Sequence, residues 1–134
     1  MYYVGANDQL FNWYYNGHWS NGQLGHGEAA IAHSGLSALL QPDGYSSVFY
    51  TGSNGQIYAW VFSTTTSWGN KVLGVPAGVP GGTTYGHGEA AAASSAISAQ
   101  VFSDGQQNLY YIGADRGVYT WRGNTGTWYN YELP

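Results

Sequence analysis

Short apolar and aromatic runs, separated by clusters of Gly, Asn, Asp and Ser, recur along the chain and predict β-strands joined by tight turns. The first two runs are Tyr2 to Val4 and Gln9 to Tyr15, with the turn Gly5-Ala6-Asn7-Asp8 between them. No stretch of helical length carries apolar residues at the spacing of an amphipathic helix. The pattern therefore predicts an all-β protein.

One segment, Ala29 to Gln41, is rich in small residues, and its alanines taken alone would favour a helix. Its second half, Ser37 to Leu40, precedes an Asp-Gly turn and then a clear strand, Ser46 to Tyr50, so we predict a strand there. The first half stays open between helix and strand. Because small side chains suit a place where neighbouring sheets crowd together, we predict that this segment forms the innermost strand of its sheet, strand A.

The remaining runs form meanders of three strands, which we call B, C and D in order outward from strand A. The first unit has only B, C and D, whereas the second and third units have all four strands. The predicted B, C and D strands of the two later units are 46–50, 56–62 and 67–73, then 108–112, 117–122 and 127–131.

The units are copies of one module. The segment Gly25-His26-Gly27-Glu28-Ala29-Ala30 returns as Gly86-His87-Gly88-Glu89-Ala90-Ala91. The pattern Tyr-x-Gly occurs three times, each time with a Trp eight residues after the Gly and a second Trp further on. All six tryptophans are therefore repeat positions, which indicates that architecture accounts for most of them.

Repeated meanders of four strands are typical of β-propeller blades, and propellers typically need four or more blades to close. We expect one repeat domain over residues 1–134, with blade units at about 1–28, 29–85 and 86–134. Since three units cannot close a ring, the chain is predicted to self-associate, most simply as a dimer with six blades. The main structural alternative is a β-trefoil, which also has three units of four strands.

Composition excludes several partners. Only 7% of the residues are charged, and three basic residues against a net charge of −4 exclude nucleic acid and disfavour anionic membrane surfaces. No run reaches the length of a membrane span, so no membrane insertion is expected, and no signal peptide is visible. The chain has no cysteine, and its four histidines lack metal-ligand spacing, so we predict neither a metal site nor a cofactor.

The pattern Tyr-x-Gly-x-Asn/Asp-Gly-x-Ile/Leu-Tyr-x-Trp, followed by a short turn and another Trp, resembles the blade repeat of the six-bladed fucose lectins of the Aleuria type. The resemblance implies a propeller that binds sugars, and in its short bacterial members oligomerisation completes the ring. It also implies a sugar held by an Arg on strand B, a Glu on strand C and an aromatic ring of the next blade. The aligned positions of this chain carry neither that Arg nor that Glu.

The Gly-His-Gly-Glu loops are the main candidates for ligand binding. A carboxylate and an imidazole can hydrogen-bond sugar hydroxyls, and a nearby Trp can stack on the apolar face of a pyranose. The candidate carbohydrate-binding residues are His26, Glu28, His87, Glu89, Trp19, Trp68 and Trp128. In the alternative interpretation each Glu ties one blade to the next. The first Trp of each pair is predicted to be core, at Trp13, Trp60 and Trp121.

We therefore predict a lectin without catalysis that binds glycans at several repeated sites, with a structural or protein-binding propeller as the alternative. A glycoside hydrolase is a third hypothesis. It is disfavoured because Glu28 and Glu89 are repeats of each other, so they belong to different blade junctions. A glycosidase pair must instead face each other at about 5 to 9 Å.

Overall fold

A computed structural model describes residues 1–41, 43–63, 65, 67–73, 88–123 and 128–134. These residues form eleven β-strands, so the all-β prediction is confirmed. The strands are β1 (Tyr2–Val4), β2 (Leu10–Tyr15), β3 (Trp19–Gln23), β4 (Leu36–Leu40), β5 (Ser46–Thr51), β6 (Ile57–Phe62), β7 (Gly69–Val72), β8 (Ser98–Val101), β9 (Gln107–Ile112), β10 (Val118–Gly123) and β11 (Trp128–Glu132). The predicted residue His87 lies outside the described residues.

The strands form three antiparallel sheets, each a meander in chain order. The first sheet is β1-β2-β3, the second β4-β5-β6-β7 and the third β8-β9-β10-β11. The count of three strands followed by four and four is the predicted one. In the second and third sheets the inner strands are β4 and β8, which pair with β5 and β9. In the described residues, the first sheet has no corresponding strand on the inner side of β1.

Strand A is shorter than its small-residue segment. It begins at Leu36, and the half left open by the sequence contributes only one isolated bridge, from Ala30 to Gly52. Each A strand ends in the predicted Asp-Gly turn, with positive φ at Gly44 (86°) and Gly105 (82°). These φ values lie in the left-handed region that glycine enters at little cost.

The innermost strands bring the sheets together. The Ala99 N–H on β8 donates a 2.9 Å hydrogen bond to the Ser37 hydroxyl on β4. A Cβ added at Gly35 would lie only 2.8 Å from the main-chain oxygen of Ser95, so the two segments approach as closely as backbones can. The three sheets therefore fan out around adjoining inner strands as successive blades of an open β-propeller arc.

Two buried clusters fill the spaces between blades. The cluster between the first and second blades contains Trp60, which is 3% exposed, and the cluster between the second and third blades contains Trp121, 1% exposed. Both rings are core, as predicted. Trp13, their counterpart in the first blade, is 38% exposed because the described residues hold no blade on that side. In the part of the chain that the structure describes, no helix is long and apolar enough to cross a membrane.

Candidate functional site

The Gly-His-Gly-Glu segment at 25–28 leads from strand D of the first blade to strand A of the second and bonds to both blades. The Ala30 N–H donates a 2.8 Å hydrogen bond to the Asp8 carbonyl in the first blade, and Ala30 also bridges to Gly52 in the second. One repeat later, the Ala91 N–H donates to the Gly55 carbonyl at 2.9 Å. The segment is thus anchored beside the turn between strands B and C, as the propeller topology predicts.

A tyrosine and an asparagine clamp the main chain of Glu28. The Tyr50 hydroxyl donates a 2.7 Å hydrogen bond to the Glu28 carbonyl, while the Glu28 N–H donates to Asn70 Oδ1 at 3.3 Å. The Asn70 Nδ2 group also donates to the Tyr50 hydroxyl at 3.0 Å, which closes the triangle. The backbone of the loop is therefore fixed from strands B and D of its own blade.

The same clamp recurs around Glu89. The Tyr111 hydroxyl donates to the Glu89 carbonyl at 2.6 Å, the Glu89 N–H donates to Asn130 Oδ1 at 3.1 Å, and Asn130 Nδ2 donates to the Tyr111 hydroxyl at 3.1 Å. Burial raises the pKa of Tyr111 to about 12, so the hydroxyl keeps its proton and remains a donor.

The first blade has the same clamp residues, and in the described part of the chain they bond to each other and to strand C. There the Tyr3 hydroxyl donates to Asn21 Oδ1 at 3.2 Å, and Asn21 Nδ2 donates to the Asn12 carbonyl at 3.0 Å. The sequence reasoning missed this asparagine position. A signal was present, because Trp-x-Asn occurs three times, ending at Asn21, Asn70 and Asn130.

With the main chain held, the side chains of the first loop point outward. His26 is exposed, and Glu28 is partly exposed with its Oε1 accepting a 2.6 Å hydrogen bond from the Ser53 hydroxyl. Glu89 is also partly exposed, but Ala114 stands at the position of Ser53. The two carboxylates therefore occupy equivalent places with different neighbours.

Glycines let each loop lie flat on a buried tryptophan. A Cβ at Gly27 would lie 2.6 Å from Trp60 Cζ2 and 2.7 Å from Asn70 Cγ, and one at Gly88 would lie 2.0 Å from Trp121 Cζ2. The tryptophans against the loops are thus the core rings of strand C.

Among the described residues, no contact joins the predicted Trp19, Trp68 and Trp128 to the loops, which pack against the strand C rings instead. Trp19 is 67% exposed. Trp68 is partly buried with its ring centroid 6.0 Å from that of Tyr2, and Trp128 lies 5.8 Å from Phe49 in the same way. These last two rings pack edge-on against the preceding blade.

The turn between strands B and C of the third blade adds acidic groups near Glu89. Asp115 accepts hydrogen bonds from the Gly117 N–H at 2.9 Å and from the Tyr119 hydroxyl at 2.8 Å. These bonds favour the ionised carboxylate and hold the pKa of Asp115 below its usual value, while the same hydroxyl bond raises the pKa of Tyr119. Across the described part of the chain, no group of three potential ligand residues is arranged to hold a metal ion.

A cleft of about 710 Å³ opens at the other end of the second blade, where strands A and B and strands C and D turn. Its lining includes Asp43, Tyr45, Ser63, Trp68 and Lys71. In the third blade, Gln106 and Arg122 stand at the positions of Tyr45 and Val61 of the cleft. The Arg122 side chain donates a 2.9 Å hydrogen bond to the Gln106 side chain. The cleft therefore brings hydroxyl groups, opposite charges and an aromatic ring close together.

Comparison with known proteins identifies the fold. No family model and no curated protein matches the sequence. Among solved structures, 99% of the chain superposes on a triple arginine-to-alanine mutant of AofleA from Arthrobotrys oligospora, with TM-score 0.73, 18% identity and 37% of that chain covered. It also superposes on the Aleuria aurantia lectin in complex with Fucα1-6GlcNAc, with TM-score 0.67, 16% identity and 39% of that chain covered.

A shorter neighbour is a fucose lectin from Kordia zhangzhouensis in complex with methyl-fucoside, with TM-score 0.62 and 18% identity. Here 99% of this chain matches 90% of the other, whereas the chain spans less than half the length of the two lectins above. The trefoil alternative is therefore wrong: the chain has the blade architecture of the Aleuria-type lectin propellers.

Proposed function

We propose that this protein is a carbohydrate-binding lectin that engages glycans at repeated sites around a propeller ring and carries out no catalysis. The observation that carries the proposal is the recurrence of one rigid loop. In two successive blades, a Tyr-Asn clamp fixes the main chain of a Glu and leaves its carboxylate accessible. A preorganised acceptor of this kind suits the hydroxyl pairs of a pyranose.

The fold supports the same function, since the structural neighbours are lectins. Two of them are complexes with methyl-fucoside and Fucα1-6GlcNAc, which makes fucosides the first ligands to test. The Arg and Glu implied by the resemblance are not at the aligned positions, so we do not propose that fucose specificity is inherited. The proposed contacts come from His26, Glu28, His87 and Glu89.

Multivalency follows from the repeat. A single shallow site of this kind binds weakly, and several sites on one rigid assembly gain by effective concentration. We propose that the protein is a homo-oligomer, in the simplest form a dimer of three blades per chain, and that its partners are mono- or oligosaccharides.

A glycan array followed by calorimetric titration of the best ligand tests the function. We expect binding by the parent chain and its loss in the Glu28→Gln/Glu89→Gln double variant, whose melting temperature should stay close to that of the parent because the clamp uses main-chain atoms. Asp104→Asn is the matched control, since this carboxylate lies in the turn between strands A and B, at the opposite end of the third blade, and its removal should leave binding unchanged.

Two results would contradict parts of the proposal. Full binding by the folded double variant would remove these carboxylates from the site, and loss of binding in Asp43→Asn would then assign it to the cleft. Silence of the parent chain on every glycan would favour the structural or protein-binding alternative. The specific support for that alternative is that each Glu main chain ties strands B and D together.

Catalysis by the two loop carboxylates is disfavoured by their positions. Glu28 is bonded within the second blade and Glu89 within the third, so the two loop carboxylates do not form a pair with each other. Measurable release of a sugar from an oligosaccharide by the purified chain would overturn this part of the proposal.

A further inference from the structure

We propose that the open face of the first blade docks onto the open face of the third blade of a second copy, with Trp13 resting on the second copy's Val118 and Leu133. This inference specifies the partner surface of the assembly proposed above. The inference rests on a packing arrangement that is complete at the two blade junctions inside the chain and incomplete at each end of the arc.

The complete arrangement consists of one Trp on strand C and two apolar residues of the preceding blade. Trp60 shares a buried cluster with Leu10 and Leu24 of the first blade. Trp121 shares the other cluster with Ile57 and Leu73 of the second blade. The four aliphatic residues are 1%, 6%, 2% and 3% exposed, in the order Leu10, Leu24, Ile57 and Leu73.

In each pair, the second residue follows strand D and bonds back to the start of strand C. The Leu24 N–H donates to the Leu10 carbonyl at 2.9 Å, and the Leu73 N–H donates to the Ile57 carbonyl at 2.9 Å. A third pair has the same geometry: the Leu133 N–H donates to the Val118 carbonyl at 2.7 Å. The third blade therefore presents the same apolar pair in the same register.

Among the described residues, no tryptophan covers this third pair. Val118 is 43% exposed and Leu133 36% exposed, against 6% or less for the four covered residues. At the opposite end of the arc, Trp13 is 38% exposed, while Trp60 and Trp121 are 3% and 1% exposed. Trp13 is therefore a strand C ring without an apolar pair to cover, and Val118 and Leu133 are an apolar pair without a ring. We infer that they meet in one intermolecular junction.

A second pair of rings supports the same register. Inside the chain, the second Trp of a blade meets an aromatic residue of strand B in the preceding blade edge-on, as Trp68 does with Tyr2 and Trp128 with Phe49. The remaining members of this series are Trp19, which is 67% exposed, and Tyr110. In the proposed junction, Trp19 of one copy packs edge-on against the second copy's Tyr110.

Single exposed apolar residues are ordinary on protein surfaces, but the exposed residues at the two ends of the arc occupy the positions that are buried at both internal junctions. The junction is head-to-tail, because the two faces differ. Such an interface forms either a closed ring or an open filament. Six blades from two copies is the closed form expected here.

Light scattering coupled to size-exclusion chromatography, with no glycan present, tests the inference. The parent chain of 14.4 kDa should elute with twice this mass. We expect Trp13→Ala and, separately, Val118→Asp to weaken the dimer by about 30-fold or more, the scale of an aromatic hot spot. Tyr14→Ala is the control, because Tyr14 is a similarly exposed ring, at 46%, on the other face of the same strand.

Mixing separates a head-to-tail junction from a symmetric one. A Trp13→Ala chain and a Val118→Asp chain each lack one half of every self-junction, but together they retain one intact Trp13 facing one intact Val118. We therefore expect the mixture to contain heterodimers while each variant alone is monomeric and folded by far-UV circular dichroism.

A parent chain that stays monomeric, or a Trp13→Ala variant with unchanged mass, would overturn the inference. Since mass is read without sugar, a dimer that binds no glycan would contradict only the lectin proposal, and a monomer that binds glycan would contradict only the docking.

Discussion

The hydroxyl group of Tyr50 donates a 2.7 Å hydrogen bond to the main-chain carbonyl of Glu28, a residue 22 positions earlier in the chain. The contact fixes the backbone of the loop and leaves its carboxylate to other partners. The main chain of Glu28 therefore holds its own blade together and does not tie one blade to the next, while its side chain stays available for a ligand.

Removing this hydroxyl should destabilise the protein. Tyr50→Phe leaves the Glu28 carbonyl without its donor and the Asn70 amide without one acceptor, and such a loss costs about 1–3 kcal/mol of unfolding free energy. The measurement is urea denaturation followed by tryptophan fluorescence. Tyr58→Phe is the control: its hydroxyl only accepts an exposed hydrogen bond from Asn54, so we expect a change within about 0.5 kcal/mol. Equal effects of both variants would contradict the clamp.

Filling the space at Gly27 should also destabilise the protein, for a steric reason. In Gly27→Ala the new Cβ would meet Trp60 Cζ2 at 2.6 Å, and crowding of this kind typically costs about 1–3 kcal/mol. Gly69→Ala in the same blade is the control, since nothing lies within 4 Å of its added Cβ. Thermal melts should rank Gly27→Ala clearly below Gly69→Ala, and the reverse order would be inconsistent with the close approach of loop and ring.

Alkaline pH should weaken the fold through the buried tyrosines. Burial raises the pKa of Tyr111 from 10.0 to about 12, so the folded state retains a proton that the unfolded chain releases earlier. This contribution to stability is fully present below pH 10 and is lost as the pH rises towards about 12. Denaturation midpoints measured across this interval should fall, and Tyr111→Phe should reduce the slope. A flat profile would show that the hydroxyl is not desolvated in solution.

The two loop carboxylates should differ in affinity because only one has a hydroxyl partner. Ser53 donates a 2.6 Å hydrogen bond to Glu28, whereas Ala114 stands beside Glu89. If the sites bind sugars as proposed, Ser53→Ala in a Glu89→Gln background should weaken binding several-fold by freeing the carboxylate to rotate, as charge-assisted hydrogen bonds fix geometry. Calorimetry should show the converse gain for Ala114→Ser in a Glu28→Gln background; unchanged affinity in both would mean that Ser53 does not orient the acceptor.

Much of the fold followed from the sequence, because the strand C positions that pack between blades recur at constant distances from the Tyr-x-Gly motif of each blade. Leu10, Ile57 and Val118 recur in register, and turns that contain Gly, Asn or Asp separate the apolar runs of most strands. The burial of Trp60 and Trp121 was also predictable, since a repeated large ring between repeated sheets has nowhere else to go.

The site was less predictable, because its bonds run between segments far apart in sequence. Nothing in the local pattern at Glu28 indicates that its carbonyl binds Tyr50 and its N–H binds Asn70. The sequence predicted the tryptophan of strand D near the loop. Trp60 of strand C lies there instead, because Gly27 has no Cβ to collide with its ring. The sequence identified the residue types of the candidate site, but only the tertiary structure shows which of these residues contact each other.

Two of the hydrogen bonds that join one blade to the next, from Ala30 to Asp8 and from Ala91 to Gly55, use main-chain atoms on both sides. The receiving turn residues differ in identity, so the coupling does not depend on any particular side chain. A gene segment that encodes one blade therefore carries its own means of attachment. Such an array can gain or lose blades by duplication and deletion, because this attachment does not require any one side chain to be kept.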